Sequence, residues 1–207
     1  MSQPPTNNYP EHRARASLPP SVILAGIREL ERRGLDLSPL EQQWGYSLSA
    51  LRRPQMRLPA FLARRFWETA EALCGDPAIG LAAARHIDPG QLLGLGYLMQ
   101  LMPSRLEALQ TMVRHWPLVA AHVEVSLQTL GDKVLLGLRS DGGLRPAPAE
   151  VDYWVCRQLQ HLHGWEGAPQ AVLEIRLQRP RPADDRPWLK AWGEQAQYGA
   201  AQNEFVL

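Results

Sequence analysis

The chain has little of what marks a secreted protein, a membrane protein or a redox enzyme. Its 207 residues include two cysteines, Cys74 and Cys156, and the first residues lack the apolar stretch of a secretory leader. No run of about 18 apolar residues is present, so we expect no membrane contact. We therefore expect a cytoplasmic protein with both thiols reduced and buried, the alternative being a disulfide between them.

The sequence motifs of common catalytic sites are also missing. There is no G-x-S-x-G, H-E-x-x-H, Walker loop or C-x-x-C. Gly94-Leu95-Gly96 lacks the third glycine of a dinucleotide-binding turn. His161 and His163 are two positions apart, whereas two metal ligands on one helix need a spacing of three or four. The sequence therefore predicts no catalytic residue, no metal and no cofactor, although a site assembled in space leaves no such motif.

Net charge and length indicate one globular domain that does not bind DNA by itself. The formal charge is +1, and DNA affinity comes mainly from neutralised phosphates. Residues 1–65 hold ten arginines and five acidic residues, which we interpret as solvated helix faces, the alternative being contact with DNA or a neighbouring domain. A globule of this size buries about 70% of its unfolded surface, so its core needs no disulfide or metal.

The first part of the chain has the periodicity of helices. Residues 1–17 are polar and rich in proline and asparagine, so we predict a disordered tail before a single domain at 18–207. Apolar residues at helical spacing predict helices at about 21–34, 38–44, 59–73, 77–86 and 104–116. Ser104 and Glu107 form a capping box at the start of the last of these, and Pro117 is predicted to end it. Leu106, Leu109, Val113 and Trp116 are its predicted buried face.

After residue 120 the apolar period changes to two. Alternation predicts strands at about 123–128, 134–138 and 173–178, with a further one starting at 204, and helices at 151–162 and 187–194. The fold class is therefore α+β, with an N-terminal helical layer packed on a small, mainly antiparallel sheet and further covering helices. Because an apolar strand at a terminus usually needs a cover, we expect Leu207 to be a boundary or truncation.

Three motifs follow one another at characteristic spacing. They are Asp76-Pro77-Ala78-Ile79-Gly80-Leu81, then Leu93-Gly94-Leu95-Gly96-Tyr97, then Pro103-Ser104-Arg105-Leu106-Glu107-Ala108-Leu109. Together they resemble the effector-binding N-terminal domain of AraC-type bacterial transcription regulators, in the arabinose-binding-like branch. Leu51–Pro54 with Arg57–Pro59, Arg179–Ala183 and Tyr198–Leu207 extend the likeness over most of the chain. Arg105 departs from the family pattern, which often has Thr-Leu after the serine.

The resemblance implies a regulatory domain that senses a small organic effector. Such regulators commonly act as homodimers on paired DNA half-sites, and they contact DNA through a helix-turn-helix domain, expected here after Leu207. Two alternatives stay open. One is a stand-alone small-molecule carrier or small enzyme that uses the same pocket, and the other is an oligomerisation module that binds no ligand.

An effector pocket is expected between the sheet and the helices packed on it. Seven tryptophans are many for this length, and pockets for small organic molecules combine aromatic walls with few polar groups. Arg139 or Arg176 would pair with a ligand carboxylate through two parallel hydrogen bonds. The alternative is that the charged candidates line a solvated strand face and the aromatic ones fill the core. The candidates are Trp116, His122, Glu124, Arg139, Tyr153, Trp154 and Arg176.

Overall fold

The N-terminal part of the protein is helical. The computed structural model describes residues 17–44, 47–53, 56–86, 94–120, 123–140, 145–163 and 172–207. Two short strands, β1 (Ser17–Leu18) and β2 (Leu58–Pro59), pair with each other. The helices are α1 (Ser21–Arg32), α2 (Ser38–Trp44), α3 (Phe61–Cys74), α4 (Ile79–Ala83), α5 (Leu95–Gln100) and α6 (Arg105–Val119), with 3-10 turns at Ala50–Arg52 and Ala84–His86.

The C-terminal part forms one sheet and two helices. Its elements are β3 (Val123–Leu130), β4 (Lys133–Ser140), α7 (Pro148–His163), β5 (Glu174–Leu177), α8 (Arg186–Trp192), a 3-10 turn (Gly193–Gln195), β6 (Ala196–Tyr198) and β7 (Asn203–Val206). The strand order is β3-β4-β7-β5-β6, and β5–β6 is the parallel pair among antiparallel ones. This arrangement confirms the α+β class with a mainly antiparallel sheet.

Strand alternation gives the sheet one apolar and one polar face. Val125 and Leu138 face each other across the β3–β4 hairpin and are buried, whereas the neighbouring pair of Glu124 and Arg139 is exposed. Successive residues of a strand point to opposite faces, so the buried pair belongs to the core side. Gly131 makes the connecting turn with a positive φ of 62°. The sheet therefore positions its charged residues on the side away from the core.

Helix α7 is buried around most of its circumference. Val151, Tyr153 and Val155 are buried, and α4 and α3 pack against the helix. Close approach of α4 depends on Gly80, because a Cβ there would lie 2.0 Å from the carbonyl oxygen of Ala149. A helix that is covered on all sides must bury polar side chains as well as apolar ones. The glycine of the first sequence motif therefore has a packing function.

Helix α6 differs from its sequence-based prediction at its end and on its buried face. Ser104 accepts a hydrogen bond from the Glu107 backbone N–H at 3.2 Å, as a capping residue does. The predicted end at Pro117 is wrong, because the helix continues to Val119. A proline this close to the end interrupts few bonds, and the Ala120 N–H donates to the Trp116 carbonyl. Leu106 is 40% exposed, so its predicted burial is also wrong.

Other boundaries shift slightly, and four elements were not predicted: the short strands β1, β2 and β6 and the helix α5. Helix α5 and strand β6 are short, and neither has a strong apolar period. Ser17, predicted to lie in the disordered tail, pairs with Pro59 in the β1–β2 ladder; residues 1–16 lie outside the described residues. Within the described ranges, no helix has the length and apolar character needed to cross a membrane.

Candidate functional site

Three of the predicted pocket residues meet in the interior between α6 and α7. The rings of Trp116 and Trp154 pack edge to face with centroids 5.0 Å apart. Tyr153 lies 5.7 Å from Trp154 and 5.3 Å from Trp67, again measured between ring centroids. All of these rings are buried. The structure therefore builds an aromatic group where these two helices face each other.

The other predicted residues lie elsewhere. Glu124 and Arg139 are paired in register on the exposed face of the β3–β4 hairpin. Arg176 donates hydrogen bonds at 2.8 Å to both Glu174 and Glu204, so its guanidinium already has two carboxylate partners. His122 lies outside the described residues. The structure thus separates the predicted arginines from the aromatic group.

A buried arginine that the sequence analysis did not select lies beside this aromatic group. The Arg157 side chain is 1% exposed, and its guanidinium carbon lies 5.2 Å from the centre of the Trp154 ring. Its guanidinium interacts with the Tyr153 hydroxyl, and no described residue gives it a carboxylate partner. Burial lowers the pKa of Arg157, and the Tyr153 hydroxyl partly opposes this effect, but no described carboxylate does. Arginine stays protonated in proteins, so within the described part of the chain this is a buried positive charge without a counter-charge.

Other polar groups around Arg157 lack partners within the described part of the chain. The indole N–H groups of Trp116 and Trp154 donate to no acceptor. One end of the Gln158 amide contacts the Met112 sulfur at 3.3 Å, and its oxygen is unpartnered. Buried polar groups in proteins are nearly always hydrogen-bonded. We call this set the inner polar cluster; it consists of Trp116, Trp154, Arg157 and Gln158.

A signal for the inner polar cluster was present in the sequence. The prediction of α7 relied on an apolar stripe of Val151, Val155, Leu159 and Leu162, and it did not consider whether the polar residues of this helix are buried. Tyr153 and Trp154 lie between those positions, so apolar side chains cover more of the helix than one stripe. A helix that is apolar all round is buried, and its polar residues are buried with it. That criterion selects Arg157.

The same helix carries a second buried charge, which has partners. The Asp152 carboxylate is fully buried, pairs with Arg179 and accepts a hydrogen bond from the Trp188 indole N–H at 2.8 Å. The Arg179 guanidinium also stacks over the Trp188 ring at 4.9 Å. Desolvation raises the pKa of Asp152 to about 6, against the opposing effect of Arg179. This group of contacts joins α7 to α8 and to the segment after β5.

A surface cleft of about 680 Å³ lies between α1, α4 and α8. At its edge is Glu29, whose fully buried carboxylate accepts hydrogen bonds from Arg32 at 2.7 Å, Arg33 at 2.8 Å and His86 at 2.8 Å. Arg32, first among these groups, holds the pKa of Glu29 well below its usual range. The residues that line the cleft are Glu29, Arg32, Arg33, Asp76, Ala78, Leu81, Ala82, Arg85, Asp184, Arg186, Pro187, Lys190 and Ala191.

Most charges in this cleft already have partners. Arg33 also pairs with Asp76 at 2.8 Å, and Asp184 pairs with Arg186 at 2.6 Å. Its volume is in the range of ligand sites, but its carboxylates and most of its cations satisfy each other. The inner polar cluster, by contrast, has donors with no acceptor. We therefore take the inner polar cluster as the better candidate ligand site and the cleft as a structural junction.

Neither cysteine is activated as a nucleophile. Burial raises the pKa of Cys74, and it raises that of Cys156 to about 11. A reactive cysteine has a lowered pKa, because the thiolate is the nucleophile. The described residues also contain no group of three or more histidine, cysteine, aspartate or glutamate side chains placed to hold a metal ion.

The comparison with protein families identifies the class of protein that this fold represents. The family model described as the arabinose-binding domain of AraC transcription regulator, N-terminal, matches residues 34–207. The chain therefore belongs to this family of regulatory, ligand-sensing domains, as its sequence motifs indicated. No curated protein sequence matches the chain.

A solved structure shows the same fold. The chain is similar to the transcriptional regulator CdpR from Pseudomonas aeruginosa, with a TM-score of 0.65 and 14% sequence identity. The similarity covers 90% of this chain and 54% of the CdpR chain, so this chain spans about half of that regulator. At this level of identity the likeness concerns the fold alone.

Proposed function

We propose that this domain binds a small organic effector and thereby controls DNA binding by a separate helix-turn-helix domain of the same regulator. The observation that carries the proposal is the match of the AraC-type family model across residues 34–207. The inner polar cluster supports it, since buried donors without acceptors are suited to an added ligand.

The physical requirement for such control is modest. Effectors typically change the affinity of a second site by about 5–150-fold, which corresponds to about 1–3 kcal/mol of coupling free energy. Helix α7 is suited to transmit a change of this size, because it carries Arg157 and, through Asp152, is joined to α8. A ligand that repositions this helix would change the packing of the surrounding elements.

The test has two stages. A thermal-shift screen of this domain against amino acids, sugars, fatty acids and aromatic acids identifies the effector. A ligand at 100 times its dissociation constant adds about 2.7 kcal/mol, or roughly 5–11 °C for a domain of this size. DNA binding by the complete regulator is then measured by fluorescence anisotropy with and without that compound. We expect a change in DNA affinity within the range above; an effector that leaves DNA affinity unchanged would instead support the carrier alternative.

Self-association and location in the cytoplasm are part of the same proposal. A regulator that reads paired half-sites needs two copies of its reading domain, and a symmetric dimer provides them. Light scattering on the domain measures its mass directly. A mass that stays at one chain at every concentration, with and without effector, would place dimerisation outside this domain.

A further inference from the structure

We propose that the effector is a carboxylate with an apolar or aromatic body, and that the Arg157 guanidinium binds the carboxylate inside the inner polar cluster. The inference rests on the proposed function and extends it to the chemical class of the ligand. The observation behind it is the 1% exposure of Arg157 together with its lack of a carboxylate partner among the described residues; its described neighbours are the neutral Tyr153 hydroxyl and the Trp154 ring.

Charge decides which ligand suits this position. Burying a guanidinium without a counter-charge is costly, and an anion removes most of that cost. The planar fork of arginine matches the two oxygens of a carboxylate through two parallel hydrogen bonds. The indole N–H groups of Trp116 and Trp154 are further donors without acceptors. A cluster dominated by donors favours an acceptor-only group, which an ionised carboxylate is.

The side chains around these donors indicate that the body of the ligand is apolar or aromatic. The rings of Trp116 and Trp154 and the Met112 side chain are buried around the cluster. Methionine and aromatic rings make adaptable contacts to apolar and aromatic groups. Among the described residues next to these walls, the uncharged polar groups are few: the Gln158 amide, which contacts Met112 and has an unpartnered oxygen, and the Tyr153 hydroxyl, which interacts with Arg157. A mostly apolar acid fits this environment better than a sugar, whose many hydroxyl groups would each need a partner.

Other arginines serve as internal comparisons. Arg176 has Glu174 and Glu204 as partners, and Arg179 has Asp152. Arg139 is exposed on the sheet, opposite Glu124. Each of these side chains is either neutralised by this chain or solvated. Arg157 is buried, and no described residue neutralises it, which is why we assign the ligand carboxylate to it.

The experiment compares acids with their neutral amides on the wild-type domain and on three variants. The pairs are benzoate and benzamide, phenylacetate and phenylacetamide, and octanoate and octanamide, with sodium chloride at equal ionic strength as the salt control. The readouts are thermal shift and tryptophan fluorescence, because Trp116 and Trp154 border the proposed site. The variants are Arg157→Met, Arg157→Lys and, as a matched exposed control, Arg139→Gln.

We expect at least one acid to stabilise the wild-type domain and the Arg139→Gln variant, and its amide to have no such effect. Arg157→Met should weaken binding of that acid by at least about 30-fold, since loss of one partner of a buried charge pair costs at least about 2 kcal/mol. Arg157→Lys keeps the charge without the fork and should bind with intermediate affinity. Without ligand, Arg157→Met should be as stable as wild type, whereas a purely structural arginine would make this variant unstable.

Three results would overturn the inference. The first is that no acid shifts the wild-type domain. The second is that acids and amides act equally, or that Arg157→Met binds the acid as wild type does. The third is that Arg157→Met loses stability without ligand. A sugar or other neutral compound that stabilises both wild type and Arg157→Met would keep the effector-sensing proposal while refuting the carboxylate.

Discussion

Helix α7 carries two buried charges with opposite environments. Asp152 has Arg179 and Trp188 as partners, and together they connect three elements of the fold. Arg157, farther along the same helix, has the neutral Tyr153 hydroxyl beside it and no carboxylate partner among the described residues. Both side chains bear the cost of desolvation, and among the described residues a counter-charge opposes that cost at Asp152 but not at Arg157. This difference is the basis of our proposals that Asp152 stabilises the domain and that Arg157 binds an external ligand.

Glu29, at the surface cleft, resembles Asp152 because its buried carboxylate also has partners within the fold. Its carboxylate is as buried as that of Asp152, and it has three basic partners, Arg32, Arg33 and His86. Arg32 is 57% exposed, so part of this network is screened by solvent. Glu29 is therefore expected to contribute less to stability than Asp152, and the following predictions test this order.

We expect the largest loss of unfolding free energy for Asp152→Ala. The variant leaves Arg179 nearly buried beside Trp188 without its counter-charge, which costs about 3–5 kcal/mol of unfolding free energy. Urea denaturation followed by circular dichroism measures this loss. Asp184→Ala is the control, because its carboxylate pairs with Arg186 on the exposed surface and its loss should be undetectable. If the two substitutions lowered the free energy of unfolding equally, Asp152 would not be a charge that stabilises the fold.

The two buried carboxylates should show opposite pH dependences. The pKa of Asp152 is raised to about 6, so the part of its contribution to stability that depends on the bound proton is complete below about pH 4 and is lost as pH rises to 6, while its contacts to Arg179 and Trp188 remain. The upper limit of this change is about 3 kcal/mol. The pKa of Glu29 is lowered, so its contribution is present above about pH 4.5 and is lost at lower pH.

Denaturation of wild type, Asp152→Asn and Glu29→Gln between about pH 3 and 7 separates these contributions. The wild-type advantage over Asp152→Asn should shrink as pH rises from about 4 to 6. The wild-type advantage over Glu29→Gln should grow as pH rises through about 4.5. If the wild-type advantage over the two variants changed with pH in the same direction, the pKa values of Asp152 and Glu29 would not be shifted in opposite directions.

A smaller loss is expected for Glu29→Gln at neutral pH. The amide keeps the shape of the side chain but weakens its hydrogen bonds to Arg32, Arg33 and His86, which costs about 2 kcal/mol. Chemical denaturation measures the change, and Glu68→Gln, in an exposed pair with Arg64, is its control. A loss as large as that of Asp152→Ala would contradict the proposed order.

The smallest effect, and one of opposite sign, is expected for Arg157→Met without ligand. Replacing an unpaired buried charge by an apolar side chain of similar length should leave stability unchanged or raise it by about 1 kcal/mol. The same denaturation assay measures it. If Arg157→Met were destabilised as strongly as Asp152→Ala, the two buried charges of α7 would have the same role, and both would stabilise the fold.

Local sequence patterns predicted much of the fold because helices and hairpins depend on neighbouring residues. The capping of α6 by Ser104, the positive φ at Gly131 and the alternation along β3 all follow from local physics. The continuation of α6 past Pro117 did not follow, because packing of Val119 decides where that helix ends. The parallel strand β6 was missed because it is short and gains its stability from β5.

The candidate site shows the same division. The sequence indicated aromatic walls, and the structure packs Trp116, Tyr153 and Trp154 together. The sequence did not indicate which arginine lacks a carboxylate partner among the described residues, because the pairing depends on carboxylates far away in the chain. Arg176 is neutralised by Glu204, on a different strand, and a single sequence does not reveal this pairing.

The amino-acid sequence by itself determined the α+β class, the order of most helices and strands, and the family, since these depend on periodicity and on short motifs such as Asp76–Leu81. The tertiary structure alone decided which charged side chains are neutralised and which are not. The physical reason is that the free energy of a buried charge depends on desolvation and on partners brought from distant parts of the chain. Arg157, an ordinary helix residue by sequence, becomes the candidate ligand-binding residue because folding buries it with no counter-charge from any described residue.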